Sequence, residues 1–379
     1  MIAPKFSENH SDSATRARTG TLTLAHGDVD TPVFMPVGTN ATVKAIAHET
    51  LESMNTSLIL GNTYHLYLRP GMDVIGDAGG LHRFMAWDRN ILTDSGGYQV
   101  FSLSNLRKIT SEGARFQSHI DGSTHMFTPE LVVAAQETFG SDIAMPLDVC
   151  SPAGVARAEA SEAMLLTVEW LSRSKARWEN RPDDWRGSLF GIVQGNFFED
   201  LRRQSADMTI EMELPGIAIG GLSVGESYET FSEVLELTAS LLPADRPRYL
   251  MGIGTPDYIL RAIECGIDMF DCVFPTRTAR NGLLFSPSGP ISIKHVSNAR
   301  VFEPVDEACG CTACRRYTRA YLRHLFKAKE IFGIMLATEH NIRFLLDLVE
   351  KARKAIANGR FSTFKRATLS RYLTNRTPE

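Results

Sequence analysis

Short apolar runs, most of which end in glycine or a polar residue, recur between positions 32 and 271 of this 379-residue chain. Each run is too short for a helix and is bounded by turn-forming residues, so we interpret each one as a buried β-strand. The eight predicted strands are Pro32–Gly38, Ser57–Asn62, Ile91–Asp94, Asp142–Asp148, Leu189–Gln194, Gly216–Gly221, Arg248–Gly254 and Ile267–Asp271.

Helical patterns lie between most of these strands. Eight strands that alternate with helices over roughly 250 residues are typical of a closed (β/α)8 barrel, the TIM barrel of α/β proteins. A doubly wound open sheet is the alternative, but no G-x-G-x-x-G fingerprint follows the first strand. The predicted helices are Val43–Met54, Pro129–Phe139, Arg157–Arg177, Glu199–Ile210, Tyr228–Leu242 and Pro256–Glu264.

Two stretches before the end of the barrel add to the plain alternation. Thr19–Leu24 and Val29–Val37 alternate between apolar and polar residues around AHGD, which predicts a hairpin leading into the first strand. Ser95–Ser141 is long for a strand-to-strand connection, and its middle predicts an inserted hairpin before the helix that begins at Pro129.

A further departure follows Asp271. Gly282–Phe285 and Pro290–His295 predict a small β excursion, after which come a cysteine cluster and a helical tail. We therefore divide the chain into a barrel with its insertions, residues 1–300, and a C-terminal subdomain with the cysteine cluster and the basic helical tail, residues 301–379.

The composition narrows the class of protein. The 43% hydrophobic and 22% charged fractions are those of a soluble globular protein. No apolar run approaches the roughly 18–20 residues that a membrane span needs, and the polar N-terminus does not read as a secretory signal. We expect a cytoplasmic protein without a membrane partner, in which the six cysteines stay reduced.

The formal net charge of −4 hides an uneven distribution. From Arg315 to Glu379 there are 15 Lys and Arg against 5 Asp and Glu, a net charge of +10. Subtracting these from the totals of 40 and 44 leaves 25 against 39 in the preceding residues, a net charge of −14. A basic segment beside an acidic body suggests a polyanionic partner, although a solvated basic helix explains the charge equally well.

Three aspartates end predicted strands: Asp94, Asp148 and Asp271. The C-terminal ends of barrel strands meet at one rim, where barrel enzymes hold their chemistry. A single aspartate there is most simply a helix cap or an ion-pair partner, but three on one rim favour a functional site. Two carboxylates at one centre suit attack at an anomeric carbon, one as nucleophile and the other as general acid and base.

Other residues on this rim suit the recognition of a planar ring. Gln194 and Gly221 end predicted strands, and the glycine-containing turn SGGY follows Asp94. An amide, a further carboxylate and exposed backbone N–H groups match a heterocycle with several donors and acceptors. Tyr98 and Met251 are candidates to sandwich such a ring, or they simply pack at the rim.

Cys309, Cys311 and Cys314 stand at the C-x-C-x-x-C spacing of a metal site. Thiolates this close in a reduced compartment indicate zinc, and a fourth ligand completes the tetrahedron. His324 and His340 both qualify by sequence. With four protein ligands the site is closed and structural, and it stabilises a tail with little core of its own. Unmetallated core cysteines are the alternative.

Seven motifs, in order and over nearly the whole chain, resemble those of the tRNA-guanine transglycosylases, and the bacterial queuosine-forming branch fits best. They are TDSGGYQVFSLS (Thr93–Ser104), DGS (Asp121–Ser123), GIVQG (after Leu189), GIAIGGLSVGE (Gly216–Glu226), MGIGTPD (Met251–Asp257), FDCVFPTRTARNG (Phe270–Gly282) and the C-x-C-x-x-C cluster.

This resemblance implies an enzyme that exchanges guanine at the wobble position of tRNAs with a GUN anticodon, those for Asp, Asn, His and Tyr. In bacteria the incoming base is the 7-deazaguanine preQ1, and the product enters queuosine biosynthesis. The resemblance also implies a homodimer and one structural Zn²⁺ per subunit. The implied roles are Asp271 as nucleophile, Asp94 as general acid and base, Asp148, Gln194, Gly221 and Leu222 as hydrogen-bonding partners of the base, Tyr98 and Met251 as stacking partners, Arg277 and Arg280 as RNA contacts, and Cys309, Cys311, Cys314 and His340 as zinc ligands.

Four positions refine the resemblance. Val224 and Cys150 match positions that shape the pocket for preQ1 in the bacterial branch. Thr255 stands where many bacterial members carry Lys, and Asn196 stands where a second Gly is usual, so both bear on tRNA docking. Two other functions stay open at this point: a barrel glycosidase that uses Asp94 and Asp271, and a non-catalytic tRNA-binding paralogue.

Overall fold

Parallel strands close into an eight-stranded barrel in the computed structural model, which describes residues 5–103 and 107–375. In chain order the strands are β1 (Lys5–Ser11), β2 (Arg18–Leu24), β3 (Gly27–Thr31), β4 (Val33–Gly38), β5 (Leu58–Gly61), β6 (Asn90–Thr93), β7 (Arg107–Thr110), β8 (Gly113–Gln117), β9 (Thr124–Phe127), β10 (Ile143–Ala144), β11 (Ser188–Val193), β12 (Gly216–Ile219), β13 (Arg248–Leu250), β14 (Met269–Cys272), β15 (Leu283–Leu284) and β16 (Ile291–Ser292). The barrel order is β4-β5-β6-β10-β11-β12-β13-β14, and β14 pairs back to β4. The predicted TIM barrel is therefore confirmed.

Helices surround the barrel and form the tail. They are α1 (His48–Ser53), α2 (Thr63–Leu68), α3 (Met72–Asp77), α4 (Leu81–Met85), α5 (Gly97–Leu103), α6 (Pro129–Phe139), α7 (Arg157–Glu179), α8 (Glu199–Ile210), α9 (Tyr228–Leu241), α10 (Pro256–Glu264), α11 (Phe274–Arg280), α12 (Thr312–Arg316), α13 (Arg319–Ala328), α14 (Ile331–Ala357) and α15 (Phe361–Tyr372). Short 3-10 turns cover Val296–Arg300 and Leu373–Asn375. Helices α2 to α5 were not predicted from the sequence, because helices of five to seven residues are too short to show a helical period.

Side-chain alternation along the barrel strands separates two apolar cores. Met35, Leu92, Ile192, Tyr249 and Met269 belong to the core that fills the barrel. Their neighbours along the strands pack outward against the helices in a second core. Because both strand faces are buried, the strands appear in sequence as continuous apolar runs. Since successive side chains point to opposite faces, a residue two positions after a barrel-filling residue also faces the barrel axis.

The predicted N-terminal hairpin is present and is part of a three-stranded antiparallel sheet, β1-β2-β3. Leu22 and Val29 from this sheet join the core inside the barrel, so the sheet closes the barrel floor. Arg18 donates two hydrogen bonds to Asp268, at 3.0 and 2.7 Å, and both side chains are buried. The additional strand β1 was not predicted because its residues are polar and largely exposed.

The insertion between β6 and β10 is also confirmed, with one more strand than predicted. β7, β8 and β9 form a three-stranded antiparallel sheet. Phe116 and Phe127 of this sheet pack on Tyr64 of α2 and on Val100 of α5. The insertion therefore lies against the segments that follow β5 and β6.

The chain after β14 contains the predicted β excursion, in which β15 and β16 pair antiparallel. The tail helices follow, and Ile342 and Leu345 of α14 share the outer core of the barrel. The division of the chain at residue 300 stays a prediction. Within residues 5–103 and 107–375, no helix combines the length and the apolar character that crossing a membrane requires.

Candidate active site and metal centre

Asp94 lies at the mouth of the barrel, two residues after the barrel-filling Leu92. Oδ1 of Asp94 accepts hydrogen bonds from the backbone N–H of Thr63 (2.9 Å) and of Gly96 (3.1 Å). Oδ2 accepts one from Gln99 Nε2 (2.9 Å) and one from Asn62 Nδ2. The donors come from α2 and its N-cap, from the glycine turn and from α5, so four groups hold this carboxyl in one orientation.

The surroundings of Asp94 bring its pKa close to neutral pH, so both the protonated and the ionised form are populated. Burial raises the pKa of Asp94 from 3.8 to about 6, and the nearby charge of Asp271 adds to this rise. The hydrogen bonds from Asn62, Thr63 and Gln99 oppose it. An acid whose pKa lies close to neutral pH transfers protons efficiently in both directions.

Asp271 also faces the barrel axis, two residues after the barrel-filling Met269. It lies inside β14, which runs one residue further than predicted, and it pairs in register with Met35 of β4. Its Oδ1 accepts hydrogen bonds from the Tyr249 hydroxyl (2.6 Å) and from the Gly252 N–H (2.8 Å). Burial raises the pKa of Asp271, whereas these two hydrogen bonds lower it. Both bonds engage Oδ1, and no hydrogen bond to Oδ2 is found among the described residues.

A second group of predicted residues forms a polar pocket beside this pair. Gln194 Nε2 donates to Asp148 Oδ2 (2.8 Å), and the Ser95 hydroxyl donates to Asp148 Oδ1 (3.0 Å). Gly221 has a φ of +68°, and a Cβ on it would lie 2.5 Å from Gln194 Oε1, so only glycine fits. The loops after β10, β11 and β12 therefore bring Asp148, Gln194 and Gly221 together.

The remaining predicted residues lie around these two groups. Leu222 is buried directly after Gly221, and Met251 is half-buried after β13. Tyr98 lies on α5 with 60% of its surface exposed. Arg277 and Arg280 lie on α11, which begins three residues after Asp271.

Comparison with known proteins identifies the family. The family model described as queuine tRNA-ribosyltransferase matches residues 12–374. A queuine tRNA-ribosyltransferase from Treponema denticola is 53% identical over 367 residues, which cover 97% of each chain. One from Caldanaerobacter subterraneus subsp. tengcongensis is 52% identical over 376 residues, which cover 99% of this chain and all of the relative. The chain belongs to the queuine tRNA-ribosyltransferase family. The predicted resemblance to tRNA-guanine transglycosylases, and with it the prediction of an enzyme, is confirmed.

The cysteine cluster of this family member is completed by His340, whereas His324 lies on α13 beside Tyr321. Sulfur-to-Nδ1 distances from Cys309, Cys311 and Cys314 to His340 are 3.7, 3.5 and 3.3 Å. Tetrahedral zinc with Zn–S of about 2.3 Å and Zn–N of about 2.0–2.1 Å requires S···N distances of about 3.6 Å.

The second ring nitrogen of His340 also suits a metal ligand. Its Nε2 lies 2.7 Å from the Phe285 carbonyl oxygen, which holds the ring with Nδ1 towards the sulfurs. Four buried protein donors leave no open position, so the cluster is consistent with a structural zinc ion and not with a catalytic one.

Several residues of the candidate site were not predicted from the sequence. Asn62 ends the run SLILGN, and the strand-end rule that found Asp94 would have found it too. Tyr249 lies inside β13, two positions before Met251, which follows the strand. Arg202 and Glu226 left no sequence signal, because their partners are backbone groups: Arg202 donates to loop carbonyls, and Glu226 accepts from the Val224 N–H at 2.8 Å.

Asn196, one of the two departures from the family pattern, has a structural explanation. Its φ is +51°, a conformation that Gly adopts freely and Asn tolerates better than most residues. Its side chain donates to the Pro152 carbonyl at 2.9 Å, which ties the loop after β11 to the loop after β10. Thr255, the other departure, is the N-cap residue of α10.

Removal of the zinc site should loosen the tail. We expect Cys311→Ser to reduce the zinc content from about one ion per chain to near zero and to expose the tail to proteolysis, because zinc binding contributes directly to folding. Elemental analysis and limited trypsin digestion measure both effects. Cys265→Ser, which changes a buried cysteine outside the cluster, is the control and should keep its zinc. A Cys311→Ser protein with full zinc content would contradict the assignment.

The raised pKa of Asp94 should appear in the pH dependence of stability. Between the unfolded value of 3.8 and the folded value of about 6, the folded state binds more protons, so this group costs stability as pH rises through that window. Asp94→Asn removes the titration. As pH rises from 4 to 7, the variant should therefore gain stability relative to wild type. The gain in unfolding free energy should be about 3 kcal/mol at most, and it should appear as a rising difference in melting temperature.

Differential scanning fluorimetry across this pH range measures the difference. Hydrogen bonds from Ser123 and Ser118 lower the pKa of Asp121 to about 2, so the stability that Asp121 contributes is lost only below pH 4. Asp121→Asn is therefore the matched control and should show no improvement from pH 4 to pH 7. A melting-temperature difference between Asp94→Asn and wild type that stays constant with pH would contradict the prediction.

Proposed function

We propose that this chain exchanges guanine at the wobble position of GUN tRNAs for preQ1 by double displacement, as a step of queuosine biosynthesis. The observation that carries the proposal is the pair of carboxyls at the barrel mouth. Asp94 and Asp271 both face the axis, and the charge of Asp271 is near enough to raise the pKa of Asp94. Family membership supports tRNA and a purine-like base as the substrates.

In the first half of the reaction, Asp271 Oδ2 attacks C1′ of the ribose. A bond forms between this oxygen and C1′, and the bond from C1′ to guanine breaks, which gives a ribosyl ester. Asp94 in its acid form donates a proton to the departing guanine. The hydrogen bonds from Tyr249 and Gly252 hold the nucleophile by its other oxygen.

In the second half, preQ1 attacks the same carbon and the ester bond to Asp271 breaks. Asp94, now ionised, takes the proton that preQ1 loses, so the enzyme returns to its starting state. One glycosidic bond replaces another of similar energy, and no ATP is needed. Attack requires ionised Asp271, so the rate should fall as pH drops through its pKa, which burial raises.

Base recognition falls to the polar pocket. Asp148 and Gln194 offer a carboxylate and an amide, and the loop after β12 offers the N–H groups of Gly221 and Leu222. Tyr98 and Met251 are proposed to stack on the two faces of the base. Cys150 and Val224, which match pocket positions of the bacterial branch, are proposed to favour preQ1 over bulkier bases.

Arg277 and Arg280 on α11 are proposed to bind RNA phosphates. Burial lowers the pKa of Arg280, and the adjacent charge of Arg277 lowers it further. The buried Nη1 of Arg280 has no hydrogen-bond partner among the described residues. A phosphate supplies the acceptor and the charge that this half-buried cation needs, and the basic tail extends the same charge.

A homodimer is the proposed assembly. Tyr321, Ile331, Phe332 and Met335 on α13 and α14 are 39%, 71%, 37% and 40% exposed. The ring of Tyr321 stacks on that of Tyr317 at a centroid distance of 5.2 Å. The ring of Phe332 contacts Tyr317 edge-on. This contiguous apolar patch suits a second copy of the chain.

Light scattering should give twice the 42.0 kDa chain mass, and Tyr321→Glu should give a monomer. A wild-type monomer would reject the dimer.

Trapping of the covalent intermediate tests the proposed chemistry. Incubation with a GUN tRNA in the absence of free base should give a tRNA–protein adduct on denaturing gels, with the ribose linked to Asp271. Asp271→Asn should form no adduct, because an amide is a poor nucleophile. Asp94→Asn should form it about 10²–10⁴-fold more slowly, since general acid assistance is lost. Peptide mass spectrometry locates the modified residue.

Arg280→Met is the matched RNA-binding variant for this experiment. It should need more tRNA to reach half-maximal adduct but should approach the wild-type yield at saturation. For the mechanism itself, an Asp271→Asn variant that forms as much covalent tRNA adduct as the wild type would reject the proposal.

The two alternative functions predict other outcomes. A barrel glycosidase would hydrolyse an aryl glycoside without RNA, and a non-catalytic paralogue would bind tRNA in a salt-dependent manner without any exchange. Family membership disfavours the first, and the presence of both carboxyls disfavours the second. An enzyme that acts on tRNA belongs in the cytoplasm, where cell fractionation should find its activity.

A further inference from the structure

A fully buried arginine, Arg202, lies behind the polar pocket. It belongs to α8 and is 0% exposed. Its Nε donates to the carbonyl oxygen of Asn196 at 2.7 Å, and its Nη1 donates to those of Gly220 at 2.8 Å and Val193 at 3.2 Å. Its Nη2 donates to the carbonyl oxygen of Gly221 at 3.3 Å. One guanidinium therefore joins the loop after β11 to the loop after β12.

These contacts are costly for a cation, since carbonyl dipoles and not a carboxylate replace its hydration. Burial lowers the pKa of Arg202 to about 10, so the side chain is still charged at neutral pH. An apolar side chain of similar length would fill the same space without this cost. Such a side chain could not donate hydrogen bonds to the consecutive carbonyl groups of Gly220 and Gly221 in the loop after β12.

The orientation of those carbonyls decides where the neighbouring N–H groups point. In a trans peptide the C=O and the following N–H are antiparallel, and the bonds from Gly220 to Gly221 and from Gly221 to Leu222 are trans. Arg202 holds the oxygens of Gly220 and Gly221 towards α8. The N–H groups of Gly221 and Leu222 are thereby directed away from α8, towards the pocket. The positive φ of Gly221 allows successive carbonyls to face one guanidinium.

The pKa of Cys150 agrees with this direction. Burial raises the pKa of the Cys150 thiol to about 12, and the backbone N–H of Gly221 is among the groups that oppose the rise.

We propose that Arg202 is a positioning residue, which presents the N–H groups of Gly221 and Leu222 to the 6-carbonyl oxygen of the exchanged base. The inference rests on the proposed function and adds the residue that sets up its base pocket. Two N–H groups aimed at one oxygen form an oxyanion-type site, which stabilises the negative charge that develops on the leaving base. Guanine and preQ1 both carry this oxygen, so the same donors serve both halves of the exchange.

Arginine is required because the task is geometric. The guanidinium offers five donors in one rigid plane, whereas an ammonium is a point charge on a flexible stem. Arg202→Lys thus keeps the charge and removes the simultaneous grip on Gly220 and Gly221. Arg203→Lys is the matched control, because Arg203 is the next residue of α8, is exposed and pairs with Glu199 at the surface.

The experiment compares guanine with 6-thioguanine, which keeps the N1–H and the 2-amino group but replaces the acceptor oxygen by sulfur. Inhibition constants of both bases are measured on the full-length chain, together with kcat, the KM for guanine and the melting temperature. We expect wild type and Arg203→Lys to prefer guanine. For Arg202→Lys the preference should fall by about tenfold, because the donors no longer converge on the oxygen, and KM should rise more than kcat falls.

A lower melting temperature with an unchanged preference and unchanged KM would overturn the inference, because Arg202 would then only stabilise the fold. A wild-type chain that binds neither base would overturn the proposed function and the inference together. If Arg202→Lys does not fold, amide hydrogen exchange of wild-type residues 220–223 decides. Guanine should slow the exchange of Gly221 and Leu222 more than 6-thioguanine does, and N–H groups already protected in the free chain would reject the proposal.

Discussion

Burial of a carboxyl group that can still ionise is the physical constraint on which the proposed chemistry depends. Burial alone would keep Asp94 protonated, and full exposure would keep it charged. Hydrogen bonds from Asn62, Thr63 and Gln99 offset part of the effect of burial, and the pKa of Asp94 is about 6. The Thr63 N–H lies in the first turn of α2, where backbone N–H groups have no partner within the helix, so it can donate to Asp94. The short helices at the mouth of the barrel therefore supply donors that orient the Asp94 carboxyl.

The barrel separates stability from chemistry along its axis. Asp268 and Asp271 stand three residues apart on the same segment, yet their partners differ. Asp268 is fully buried near the floor and is held by Arg18 and by the Arg248 N–H, at 2.7 Å for the latter. Asp271 lies at the mouth, where its Oδ1 accepts two hydrogen bonds and its Oδ2 is the proposed nucleophile. The N-terminal sheet closes the floor, which leaves the loops at the mouth free to form the site.

The zinc cluster connects the tail to the active-site segment. His340 lies on α14, and its Nε2 lies within hydrogen-bond distance of the Phe285 carbonyl, which follows α11 by five residues. The next residue, Asn341, donates to the Pro275 carbonyl inside α11 at 3.0 Å. Ile342 and Leu345 of the same helix pack on the barrel. The metal cluster and these contacts hold α11, and with it Arg277 and Arg280, next to Asp271.

The sequence by itself determined the barrel, its eight strands and the side of the barrel on which Asp94 and Asp271 lie, because strand length and side-chain alternation are local properties. It also determined three of the zinc ligands, whose spacing is local. Residue spacing left His324 and His340 open as the fourth ligand; the family resemblance implied His340, and the tertiary structure places it beside the three cysteines. The tertiary structure alone brought Arg202 and Glu226 to the site and set the pKa of Asp94. These features depend on distances between segments far apart in the chain and on the burial that packing creates, and no local pattern of residues records either.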